Sequence, residues 1–121
     1  MRCLQSRDRG MATAEIAVAL PALLVLVAAA MTAVSVLTAQ LRCVDAAREA
    51  ARATARGEAP VVVTSLAQRQ APNGARVVVT GGEEIRATVS AEARSAGGLL
   101  PAFQVVATAV ALREPEPSGG S

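Results

Sequence analysis

The sequence predicts an α+β protein. A long N-terminal helix, transmembrane in its first half and amphipathic in its second, carries a small antiparallel sheet of about three strands near its exposed half. Three observations predict this. Ile16 to Ala39 is a run of 24 residues without a charge. Gln40 to Arg56 continues in strong helix formers, with no Gly or Pro. Past Gly57 the texture changes to β-branched runs, and Glu84 to Arg94 alternates apolar and polar residues.

Residues 1–10 form a polar, basic leader in which Arg2, Arg7 and Arg9 outnumber Asp8. Such an excess ahead of an apolar run keeps the N-terminus cytoplasmic and places the C-terminal part outside. Residues 11–39 are the membrane segment. As a helix, the uncharged run is about 36 Å long, enough to cross a hydrocarbon core of about 30 Å. The apolar part of a cleavable secretory signal is shorter, typically about 7–15 residues, so the length favours a retained helix. Ala28-Ala29-Ala30 still offers a small-residue site for ordinary signal peptidase. Pro21 removes one helical hydrogen bond and crowds the carbonyl of Ala17, which predicts a kink. Ala28/Thr32 and Ala29/Ala33 are small pairs four apart. They are either a surface for close helix packing or a product of the Ala-rich composition.

Residues 40–57 form the amphipathic extension. Val44, Ala47 and Ala51 make an apolar stripe, while Arg48, Arg52 and Arg56 lie four apart on another face. Asp45 can meet Arg48, and Glu49 can meet Arg52, at i+3 spacing. These interleaved acids mark the arginine row as a solvated face rather than a lipid or nucleic-acid site. Gly57, followed by Pro60, ends the helix.

Residues 58–113 form a small extracytoplasmic domain. Val61 to Ala71 is ambiguous, since Val61-Val62-Val63-Thr64 favours a strand and Leu66 to Gln70 a helix. Pro60 suits a first helical position and favours a short second helix. Pro72-Asn73-Gly74 is a turn. Ala75 to Thr80 is a strand, and Gly81-Gly82 starts the next turn. Ile85, Ala87, Val89, Ala91 and Ala93 then share one face of a half-buried antiparallel strand. A loop with Gly97-Gly98 and Pro101 leads to a third strand from about Gln104 to Leu112. Residues 114–121 read as a disordered tail. With roughly 55 residues and Ala where larger side chains usually fill a core, this domain is marginal alone. It needs the amphipathic helix, and a neighbouring subunit is a further means of completing its core.

Composition removes most chemistry. There is no His, Phe103 is the sole aromatic, and all 12 basic residues are Arg. The commonest general base and metal ligand is therefore missing. No phosphate-binding glycine loop, nucleophile elbow or zinc-spaced cysteine pair is present. Glu83-Glu84 is an adjacent pair whose side chains point to opposite faces of a strand. No catalytic residue, cofactor, metal or small-molecule substrate is indicated. Removing residues 1–10 leaves nine arginines and nine acidic residues. That balance gives no electrostatic case for nucleic acid. Cys3 lies in the leader, so Cys43 is the one remaining thiol: either a small apolar side chain or a link between subunits.

The candidate site is Gly10, Met11 and Glu15. Glu15 is the only charge between Gly10 and Arg42. A carboxylate at the head of a membrane-length segment is expensive and points to a function. A basic leader, a Gly, a Glu five residues later and an apolar helix resemble the type IV prepilin pattern. The stretch Arg9-Gly10-Met11-Ala12-Thr13-Ala14-Glu15-Ile16-Ala17-Val18-Ala19-Leu20-Pro21 resembles the TadE-like minor pilins of tight-adherence (Flp-type) pilus and secretion systems. The resemblance is strongest over residues 9–25.

The resemblance implies a non-enzymatic pilin or pseudopilin of the cytoplasmic membrane, possessing a processing site and an assembly residue. A prepilin peptidase would cut between Gly10 and Met11. Glu15 would then pair with the N-terminal amine of a neighbouring subunit and set helix register. The implied partners are the peptidase, other pilins or pseudopilins, the pilus assembly platform and the lipid bilayer. One departure bears on the role: major Flp pilins usually follow this Glu with Tyr and are very short, whereas here Ile16 follows and a domain is present. Two rivals stand beside this reading. One is an uncleaved single-pass protein displaying a small binding domain, and the other a secreted domain released by signal peptidase.

Overall fold

The computed structural model describes residues 5–98 and 100–115. The first part of the expected leader, with Arg2 and Cys3, and residues 116–121 of the expected tail lie outside the described residues. Two helices, α1 (Gln5–Ala55) and α2 (Pro60–Gln70), precede three strands: β1 (Arg76–Thr80), β2 (Glu84–Ala93) and β3 (Phe103–Leu112). A single 3-10 turn, Ala96–Gly98, lies between β2 and β3. The sheet is antiparallel in the order β1-β2-β3. The expected α+β architecture is therefore the observed one.

α1 is a single helix of 51 residues with Pro21 inside it. Its hydroxyls satisfy themselves along the helix. Thr32, Ser35 and Thr38 donate to the carbonyls of Ala28, Met31 and Val34 at 2.8, 2.9 and 2.8 Å. This leaves no hydroxyl of the apolar stretch in need of water. The helix ends where the Gly was expected to stop it. Glu58 N–H donates to Ala53 C=O at 3.1 Å and Gly57 N–H to Thr54 C=O at 2.9 Å. Gly57 takes φ +80, the left-handed conformation this paired-bond cap requires.

α2 resolves the ambiguous segment as a helix. Pro60 occupies the start of the helix, and Val63 and Ala67, four apart, are its buried residues. Val61 remains exposed, so the valine run packs on one side only. A pre-set φ at Pro60 and one apolar face outweigh the β preference of three valines.

The core lies between the second half of α1 and the sheet. Cys43, Ala46, Ala47, Ala50, Ala51 and Ala53 form a buried seam on α1. Ala87, Val89, Ala91 and Ala93 of β2 pack in the same core, and Ile85 at the start of the strand is buried too, as the alternation required. Val105 and Ala107 of β3 and Val63 of α2 close the sides. Ile85 and Val89 are among the largest fully buried side chains. Burying a side chain of that size contributes roughly 1.5–3 kcal/mol, so these few residues carry much of the stability. The alanines contribute chiefly close approach.

Two details differ from the sequence expectation. Among the described residues, Asp45–Arg48 and Glu49–Arg52 are not ion pairs. Glu49 instead meets Arg56 at 3.8 Å, because Arg56 bends back across the helix end to Glu58 at 2.6 Å. That hydrogen bond raises the Arg56 pKa further, so the group stays a cation. The second detail is reach. Val36 and Ala39, in the stretch assigned to the membrane segment, pack against the domain's core.

Candidate functional site

Gly10, Met11 and Glu15 lie on the first turns of α1, which runs unbroken through them. Met11 and Glu15 are four residues apart and share one face of the helix. Both are exposed, Met11 at 70%. A Cβ added at Gly10 would meet nothing within 4 Å among the described residues, so a side chain has room there. Among residues whose side chains are described, no ion pair engages Glu15. Pro21 follows Glu15 by six residues, roughly 9 Å along the axis.

Around and above this site the helix is bare. Ile16, Leu20, Leu23, Leu24 and Leu26 are exposed, as are most side chains as far as Met31. A bare apolar surface of this extent belongs in lipid or against another chain. α1 is the one helix, among the described residues, long and apolar enough to cross a membrane.

The far half of α1 is covered. Cys43 is fully buried, and burial raises its thiol pKa. This is the small-apolar-residue reading of Cys43; a thiol in that position faces its own domain rather than a neighbour. Among the described residues, an open cleft at the turn after α2 is lined by Asn73, Arg76, Glu92, Arg94 and Gln104, among others. Among the described residues no group of three or more His, Cys, Asp or Glu is placed to hold a metal.

Sequence reasoning missed one contact. Gln40 Nε2 donates to the carbonyl of Val106 at 3.0 Å, joining α1 to β3. Nothing local marks Gln40 for this task. Its one signal is being the first strongly polar side chain past the uncharged run.

A bare apolar helix continuous with a small covered α+β domain fits a membrane protein. The model of the family described as TadE-like protein matches residues 10–52. That stretch opens on Gly10 and contains Met11, Glu15, Pro21 and Cys43. The chain is also 38% identical over 102 residues to the protein named Apoptosis inhibitor Rv3655c of Mycobacterium tuberculosis (strain ATCC 25618 / H37Rv), covering 84% of this chain and 78% of that one. No solved structure gives a significant match. The chain belongs to the TadE-like family, which makes it a protein associated with a tight-adherence pilus system and its membrane.

Proposed function

We propose that this protein is a non-enzymatic minor pilin or pseudopilin that takes part in assembling a tight-adherence pilus or related secretion apparatus. The observation that carries the reading is the coincidence of Gly10, Met11 and Glu15 at the mouth of a bare apolar helix, in a chain whose family match opens on Gly10. Prepilin peptidase cuts between Gly10 and Met11 on the cytoplasmic side. The basic leader departs, the helix stays anchored, and Met11 acquires a free amine. A Gly at the cut suits close approach by a catalytic site, since it offers no side chain.

In the assembled state Glu15 pairs with the Met11 amine of an adjoining subunit. At about 4 Å and an effective dielectric near 20, this attraction is of order 4 kcal/mol before desolvation is set against it. Its main value is register: a misdocked helix buries Glu15 unpaired. Pro21 then sits inside the packed helices as a kink or loosened turn. Ile16 and the presence of a folded domain favour a minor subunit over the bulk filament subunit.

The test is Glu15→Ala beside Glu15→Gln in cells carrying the pilus system. Both variants should insert and be processed, yet fail to co-isolate with other pilus components. If both co-isolate as wild type does, Glu15 has no assembly role. Intact mass separates the rivals. Retention of Met1 to Gly10 marks an uncleaved membrane protein. Loss through Ala30 marks a domain released by signal peptidase, a cut that would leave every residue of α1 from Met31 onward in place.

A further inference from the structure

We infer that the tip of the β2–β3 connection, Leu100 to Phe103, inserts into the bilayer that α1 spans, on the domain's side. This rests on the spanning reading of α1. The argument begins with a register between β3 and α1. Gln40 meets Val106 at the lower end of the domain. At the upper end, Ala55 and Arg56 share a cleft with Arg113 and Glu114. Val106 to Arg113 spans about 23 Å of strand, and Gln40 to Ala55 spans about 22 Å of helix. β3 therefore runs alongside α1 in the same direction.

Extending that register downward, Phe103 lies about 10 Å below Val106, which is about seven helix residues below Gln40. Phe103 is thus level with Ala33, inside the uncharged run of α1. Burial agrees with this level. Thr32 is only 6% exposed, although Met31 and Val34 beside it are 57% and 60% exposed. The 3-10 turn Ala96–Gly98 packs on α1.

The tip is built for a dry surface. Leu100 is 51% exposed and Phe103 41%, although Phe103 shares the helix-facing side of β3 with buried Val105 and Ala107. Ser95 Oγ donates to Leu100 C=O at 2.9 Å and accepts from Leu100 N–H at 3.2 Å. Both backbone groups of Leu100 are therefore engaged internally, and Pro101 has no N–H. Each backbone group engaged in this way lowers the cost of leaving water for the edge of the hydrocarbon. Charge limits the depth. Arg76 pairs with Ser90, which pairs with Val106, so Arg76 lies at the Gln40 level, about 10 Å above the tip, and Arg42 follows Gln40 by two residues. That is the depth of headgroups, where Arg side chains reach phosphate. Glu92, opposite Gln104, and exposed Arg94, next after the Ala93 that pairs with Phe103, lie close to the level of the tip itself and hold its insertion shallow. The bare part of α1 from Met11 to Met31 is then about 31 Å long, which matches a hydrocarbon core of about 30 Å.

The chain has no Trp, so each introduced Trp reports alone. Phe103→Trp, Leu100→Trp, Leu24→Trp and Leu112→Trp are compared as full chains in phosphatidylcholine–phosphatidylglycerol vesicles doped with brominated lipids. Phe103→Trp and Leu100→Trp should emit to the blue and lose intensity chiefly to shallow bromines. Leu24→Trp should lose it to deep bromines, and Leu112→Trp should be unaffected. If Leu24→Trp is quenched while both tip variants are not, the inference fails alone. Blue emission from the tip without bromine quenching means that protein covers it, and also overturns the inference. If Leu24→Trp is itself unquenched, the spanning reading fails and takes the inference with it.

Discussion

The side-chain amide of Gln40 holds the carbonyl of Val106 at 3.0 Å across 66 residues of sequence. It fixes the height at which the sheet rides on the helix. Gln40→Ala should lower stability by about 0.5–1.5 kcal/mol, the usual net value of one such bond. Gln40→Glu should do more damage, since an acceptor then faces an acceptor. Denaturant unfolding of the full chain in detergent micelles measures both. An unchanged midpoint for Gln40→Ala would mean that the contact contributes nothing.

Ala50 is fully buried in the seam of α1. Ala50→Leu adds three carbons to this buried seam, and should destabilise by about 1–3 kcal/mol or more through overpacking. Arg52→Ala, on the exposed face two residues on, should stay within about 0.5 kcal/mol. The same unfolding experiment reads the contrast. Equal effects at the two positions would show that the seam is loosely packed.

Cys43 is buried, and its thiol pKa is raised by that burial above the ordinary value of about 8.5. In a Cys3→Ser chain, where Cys43 is the one thiol, the folded protein should therefore resist thiol reagents at pH 8 and react once unfolded. The sign for stability follows. Below the ordinary value both states hold the proton and pH has no effect through this group. Above it the unfolded chain ionises first, so stability falls until the folded value is reached. Cys43→Ala should remove that alkaline slope. Rapid labelling of the native protein would refute the burial.

Gly10→Leu should block leader removal and leave insertion intact. Space around Gly10 is open, and Leu is a better helix former than Gly by roughly 0.8 kcal/mol, so no misfolding competes with the effect. The readout is intact mass, with a precursor heavier by residues 1–10. A mature N-terminus identical to wild type would move the cut elsewhere.

The parts of the fold that sequence reveals are those where one side of an element differs from the other. β2 is the clearest case: Ile85, Ala87, Val89, Ala91 and Ala93 alternate with polar residues and are all buried. Gly57 and Pro60 were equally legible, because each imposes a backbone angle. The lower limit of the domain on α1 was not legible. Val36 and Ala39 look the same in sequence whether they face lipid or a sheet. Glu49–Arg56 was hidden for another reason, since it depends on how the chain turns after the helix ends. Of the candidate site, sequence supplied the residues and structure supplied their setting: one open, continuous helix.

That continuity has a mechanical consequence. No flexible joint separates the segment below Thr32 from the domain bolted along Val36 to Ala55. From Pro21 to Ala55 the helix is an arm of about 51 Å, stiffened by the domain along its upper half, so a 10° change in lean at its base sweeps its far end through about 9 Å. Pro21, the one residue of the helix interior that cannot donate its backbone hydrogen bond, is the natural place for that lean to originate. The Arg56–Glu58 end of the molecule would thus act as a pointer that magnifies small movements made deep in the bilayer.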